Sequence, residues 1–183
     1  HRCAQVVMTR HGGVFPADVA ALEALPGIGP STAAALAAFC FGQRVSIYDG
    51  NVKRVMARYV GFAGDLSVRE ADRALFAHAQ LLLPDGQHAE YMPAYTQGLM
   101  DLGATVCTRH RPSCEVCPLA ADCVARALGK QAVLPCRTRR LVRKTQALTF
   151  LVLSRADGWV WLQQRPGKGI WASLFAFPSS ESL

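Results

Sequence analysis

The chain has 183 residues, half of them apolar, and a formal charge of +7 from 20 Lys and Arg against 13 Asp and Glu. That length and apolar content suffice for one core and the start of a second, which excludes a disordered chain. No apolar run approaches the roughly 18–20 residues a membrane span needs, and the opening HRCAQVVMTRHGG lacks a signal-peptide pattern, so no membrane partner and an intracellular setting are expected. The basic excess suits a polyanion held through phosphates without naming it. The chain starts at His1 without an initiator Met and stops at FPSSESL after a strand-like run, which reads as part of something longer.

Up to about residue 103 the spacing is helical, in ADVAALEAL, TAAALAAF, NVKRVMARYV and READRALFAHAQLLL. A helix over roughly 17–24 runs into LPGIG, and a second, almost all alanine, begins at Pro30, a residue suited to the first helical position. Gly27 and Gly29 allow turn conformations closed to other residues and a close backbone approach by an outside group. The unpaired N–H groups and the positive helix end at Ser31 and Thr32 favour an anion, such as a phosphate. An ordinary helix-helix turn would explain PGIG taken alone. Asp49, in SIYDGNVKRV, reads first as an N-cap.

Cys107, Cys114, Cys117 and Cys123 form C-x6-C-x2-C-x5-C, a spacing that lets four thiolates wrap one metal centre. Disulfides do not suit a chain without a secretory signal. Structural zinc and a [4Fe-4S] cluster both remain open, since zinc sites usually pair two C-x-x-C knuckles and this motif has one. Cys3, Cys40 and Cys136 read as bystanders, Cys40 as a small core residue. His11, His78, His88 and His110 show no ligand spacing.

The helical domain is expected over 1–125, with the cysteine loop at 107–123. A basic connector follows over 126–146, carrying Arg126, Lys130, Arg137, Arg139, Arg140, Arg143 and Lys144. QALTFLVLS, the turn ADG and WVWLQQR then read as a strand hairpin opening a second domain over 147–183, in which Trp159, Trp161, Trp171 and IWASLFAFP are expected to be core.

LPGIGPSTA, YDGNVKRV and MDLGATVC with its cysteines, in this order, resemble the MutY-type adenine DNA glycosylases over nearly the whole chain. The fold class this implies is mainly α, a helix-hairpin-helix glycosylase domain with an iron-sulfur loop, followed by the start of an α+β Nudix-like domain. The resemblance implies that the hairpin grips DNA, that Asp49 is catalytic, that Asn51 supports Asp49 or the substrate by hydrogen bonding unless it is a first-turn residue without a partner, and that the four cysteines hold a [4Fe-4S] cluster rather than zinc. It implies DNA contacts by Gly27, Gly29, Ser31, Thr32, Lys53 and Arg109, the last in a loop with His110 and Arg111. Lys53 could pair with a phosphate, trap an opened abasic sugar, or be a solvated helix lysine.

A carboxylate beside the sugar would stabilise the oxocarbenium-like transition state, while an acid protonates the leaving adenine. None of Glu23, Glu70 or Glu90 sits in the family's context for that acid, which is expected to lie outside this chain and to leave the bare segment inactive. The implied substrate is double-stranded DNA with adenine opposite 8-oxoguanine or guanine, acted on by a monomer in a bacterial, nucleoid-associated cytoplasmic setting. Ser31, where endonuclease III-type relatives carry a nucleophilic lysine, points to a monofunctional enzyme. A bifunctional lyase of that type and a non-catalytic iron-sulfur DNA-binding module are the alternatives. The metal-binding glutamate helix of a Nudix hydrolase does not occur in the sequence.

Overall fold

The structure, a computed structural model, describes residues 1–138 and 145–180, apart from the side chains of 87–89 and 180. It divides into two units, His1–Arg139 and Arg140–Leu183. No described helix is long and apolar enough to cross a membrane.

The first unit is helical: α1 Arg2–Arg10, α2 Val19–Glu23, α3 Pro30–Phe41, α4 Gly50–Tyr59, α5 Arg69–Leu81, α6 Met92–Asp101 and α7 Val124–Ala127. Two of these sit at the centre. On α3, Ala33 and Ala37 bury against Val7, Leu22 and Leu25, Ala38 meets Leu83 and Met92, and Ala34 joins the main core. Alanine at all four positions is what lets neighbours on several sides come close to one helix. On α4, Val52, Val55, Met56 and Ala57 lie in that core with Ile47, Leu66, Leu75, Ala79, Leu99 and Leu102. Cys40, expected as core, is exposed, because the buried face of α3 is made by those four alanines and Cys40 lies near the helix end outside it.

The helical unit continues past the expected boundary at 125. Ala125 and Leu134 are buried, and the Leu66 amide donates to the Cys136 carbonyl at 3.0 Å. Asp65 fastens the segment further, accepting from the Thr138 hydroxyl and, at 3.2 Å, from the Thr138 amide. Residues 126–138 are therefore packed chain rather than free connector, with Arg126, Lys130 and Arg137 exposed on its surface. Arg139, Arg140, Arg143 and Lys144 lie outside the described residues.

In the second unit the expected hairpin forms about Asp157: the Arg155 amide donates to the Trp159 carbonyl at 2.8 Å and Trp161 to Leu153 at 2.9 Å. Two short antiparallel pairs accompany it, β1 (Thr149–Phe150) with β4 (Ser179–Ser180) and β2 (Gln163–Gln164) with β3 (Phe175–Ala176). The expected burial of the tryptophans does not follow. Trp159, Trp161 and Trp171 are 73%, 63% and 53% exposed, since pairs of two-residue strands enclose too little volume to cover large side chains.

The hydrogen bonds from Thr138, then Ser67, pull the Asp65 carboxyl down to about 2. Because the folded value lies below the unfolded one near 3.9, this attachment is complete above about pH 4 and is lost as pH falls through about 2. An NMR titration of the Asp65 carboxyl and the Thr138 amide should give a shared midpoint near 2.

Candidate nucleic-acid interface and cysteine centre

The hairpin is built from the N-cap of α2 onward. Asp18 accepts from the Ala21 amide at 2.9 Å, Leu22 and Leu25 anchor the helix under α3, and the Ile28 amide donates to Leu25 at 3.1 Å to close the turn. Gly27 has φ of +82°, a conformation that glycine adopts without strain. Gly29 differs from the expectation: its φ of −92° suits any residue, so its contribution is the missing side chain. No atom lies within 4 Å of where a Cβ would stand at either glycine, leaving the turn open to an outside group. No side chain caps α3, and its first-turn amides at Ser31 and Thr32 have no acceptor within the helix. Amides facing outward at a positive helix end, on a basic chain, suit a phosphate.

Asp49 is the N-cap of α4, with its carboxylate accepting from the Val52 amide at 2.8 Å. Asn51, expected to support Asp49, turns instead to Arg54, whose Nη2 donates to its Oδ1 at 2.9 Å. Lys53, expected to reach a phosphate, is paired with Asp72 at 2.7 Å. Arg109, His110 and Arg111 are exposed on the loop between Cys107 and Cys114, as a phosphate-facing role requires.

Two residues absent from the sequence-based set link this helix start to the cysteine loop. Arg54 donates to Asn51, to the Gly103 carbonyl at 2.6 Å and to the Cys107 carbonyl at 2.8 Å. Burial draws its guanidinium below the ordinary value while Cys107 opposes, and it stays charged. Arg58, one turn on and 2% exposed, donates to the carbonyls of Leu134, Thr108 and Arg109 and stands 3.4 Å from the Cys107 sulfur. Asn51, Arg54 and Arg58 fall at i, i+3 and i+7, one polar stripe on a helix whose other residues are largely core. That stripe was the available signal, and it needed the knowledge that α4 is buried on both sides.

Helix α6 meets the stripe through a π-turn, Leu102–Val106, closed by the Cys107 amide on the Leu102 carbonyl at 2.6 Å. Gly103 is required there for close approach: a Cβ would stand 2.7 Å from the Asn51 Cβ.

Cys107, Cys114, Cys117 and Cys123 all line one small cavity of about 30 Å³, together with Arg58, Arg126 and Gln131. Burial raises the Cys114 thiol, and the other three cysteines push it the same way against a hydrogen bond from Gln131. The soft donor chemistry of four thiols around one cavity fits an iron-sulfur or zinc centre. Among the described residues no three His, Cys, Asp or Glu side chains already close on a single ion. The larger cavity, about 510 Å³ along α4 and α6, has mostly apolar walls and is lined by none of the expected site residues.

Gly103→Ala should push α4 away from the π-turn and destabilise the fold by about 1–3 kcal/mol, checked by urea unfolding. The same substitution at Gly98, where no atom lies within 4 Å of the Cβ position, should cost nothing comparable.

A helix-hairpin-helix motif model matches residues 10–39. The adenine DNA glycosylase of Buchnera aphidicola subsp. Acyrthosiphon pisum is 31% identical over 97% of this chain and 49% of its own length. The Mycobacterium tuberculosis adenine DNA glycosylase is 44% identical over 65% of this chain and 38% of its own, and the human one 37% over 72% and 23%. Among solved structures, a thermostable thymine-DNA glycosylase superposes with a TM-score of 0.59 at 32% identity, over 69% of this chain and 56% of that one. An endonuclease III bound non-covalently to DNA shares the fold at TM-score 0.53 and 23% identity, over 68% of this chain and 55% of that one. The chain spans about half the length, or less, of the curated relatives it matches. By sequence it is a homologue of the MutY-type adenine DNA glycosylases, and its structural neighbours are glycosylases of the helix-hairpin-helix superfamily.

Proposed function

We propose that the chain is the hairpin and cysteine-loop portion of a monofunctional adenine DNA glycosylase acting on adenine opposite 8-oxoguanine or guanine. The observation that carries this reading is Asp49, whose carboxylate sits at the start of a helix braced from its far side by the cysteine loop. Its chemistry needs the adenine out of the stack, because no side chain reaches a glycosidic bond inside a duplex. The open Gly27–Gly29 turn and the first-turn amides of α3 hold the distorted backbone, with Arg109 on a second phosphate.

Beside the extruded nucleotide, the Asp49 carboxylate stabilises positive charge at the sugar as the bond from C1′ to adenine breaks. Adenine leaves with a proton, water adds to C1′, and an abasic site remains with the strand intact. The acid is assigned outside this segment: Glu23 and Glu70 stand on α2 and α5, Glu90 on a short 3₁₀ turn, and none has a hydrogen bond to the Asp49 turn among the described residues. Asn51 acts as the link from Arg54 to the helix start rather than as a partner of Asp49.

A single catalytic step without strand cleavage is supported by Ser31, which cannot form a Schiff base, and by the tie between the Lys53 ammonium and Asp72. The four cysteines would hold a [4Fe-4S] cluster, which when bound supplies a cross-link bracing the loop that carries Arg109. The second unit, with its Asp157 hairpin, is read as the opening of a MutT-like domain that helps select 8-oxoguanine.

The test is single-turnover adenine release by the full-length protein from duplexes bearing A opposite 8-oxoguanine, G and T. Release from the first two, leaving an alkali-labile but uncut strand and lost by at least about 10²-fold in Asp49→Asn, is the expected result. Tight binding without release points instead to a DNA-binding relative. Metal analysis should find iron and sulfide in roughly equal amounts, lost in Cys117→Ser; zinc in their place would identify a structural zinc site.

A further inference from the structure

We propose that Asp72, on α5, is a positioning residue for Asp49, acting through Tyr48 and Lys53, which bracket it in the sequence. The inference rests on the adenine-release reading above. Lys53 Nζ reaches both Asp72 carboxylate oxygens, at 2.7 and 2.9 Å, from the first turn of α4. From the other side of Asp49, the Tyr48 hydroxyl donates to the Asp72 backbone carbonyl at 2.8 Å and lies 3.4 Å from the carboxylate. The two arms also touch each other, with Lys53 Nζ 4.4 Å from the centre of the Tyr48 ring, whose edge-on neighbour is Phe76 at 5.0 Å.

One residue of α5 therefore holds the positions immediately before and four after Asp49. The cap bond from Val52 fixes the Asp49 carboxylate relative to α4, but nothing in that bond fixes the start of α4 relative to the rest of the domain. The strap supplies this second constraint. Lys53 and Asp72 side chains are only 20% and 30% exposed, so the pair is less screened than a surface ion pair. Burial, then Asp72, pushes the Tyr48 phenol upward, which keeps it a donor. With its ammonium committed to Asp72, Lys53 contributes to the rate rather than to DNA affinity.

The test uses full-length protein, single-turnover release from an A:8-oxoguanine duplex, and binding to the same duplex carrying 2′-fluoro adenosine, whose glycosidic bond resists cleavage. Asp72→Asn should slow release by about 10- to 100-fold while affinity stays within about twofold, the signature of a misplaced catalytic group. Asp72→Glu, which keeps the carboxylate, should recover most of the rate. Lys53→Met and Tyr48→Phe should each slow release, and neither should add much on top of Asp72→Asn, because all three act through one strap.

Tyr48→Phe removes one oxygen and carries the test should Asp72→Asn fail to fold. A wild-type rate in folded Asp72→Asn or Tyr48→Phe overturns the inference while leaving the proposed function standing. So does a Lys53→Met variant that weakens binding with a shallower salt dependence, since that marks a phosphate contact. A full-length wild type that releases no adenine from any duplex overturns the proposed function, and the strap's role with it.

Discussion

A buried guanidinium holds helix α4 and the cysteine loop of the helical unit together. Arg58 is 2% exposed, and among the described residues no carboxylate pairs with it; its donors go to the carbonyls of Thr108, Arg109 and Leu134. A buried charge is costly unless its donors are satisfied, and here carbonyl oxygens from three stretches of chain share that task. The arrangement fixes where the loop after Cys107 runs and where the segment leading to residue 138 returns. It also leaves a positive group against the cysteine-lined cavity, where four thiolates would bring matching negative charge.

Arg54 extends the same device toward the start of α4. Its bonds to Asn51, Gly103 and Cys107 join the first turn of α4, the π-turn after α6 and the first cysteine through one side chain. Gly103 permits the contact by carrying no side chain where α4 passes. The cysteine loop and the helix start capped by Asp49 are therefore joined through one side chain. Asp72 braces the same helix start from α5, so Asp49 is held from two directions.

The hairpin plays a different part. Its two helices are packed by alanine against leucine on the inside and leave bare backbone on the outside, a surface suited to an anion.

Much of this was legible in the linear chain wherever physics is local. The 3.6-residue period marked the helices, Gly27 and Pro30 marked the turn and helix start, Asp49 was recognisable as a cap, and the cysteine spacing marked one loop. Each depends on residues a few positions apart. What the linear order concealed depends on contacts between distant segments: Arg58 meets Leu134 across 76 positions, Arg54 meets Gly103 across 49, and Lys53 meets Asp72 across 19. An arginine or lysine on a helix looks solvated until its neighbours are known, which is why Lys53 was expected at a phosphate and the two arginines passed unnoticed. The same reason moved residues 126–138 from connector to packed chain, and left the tryptophans of the second unit exposed where their composition alone suggested a core.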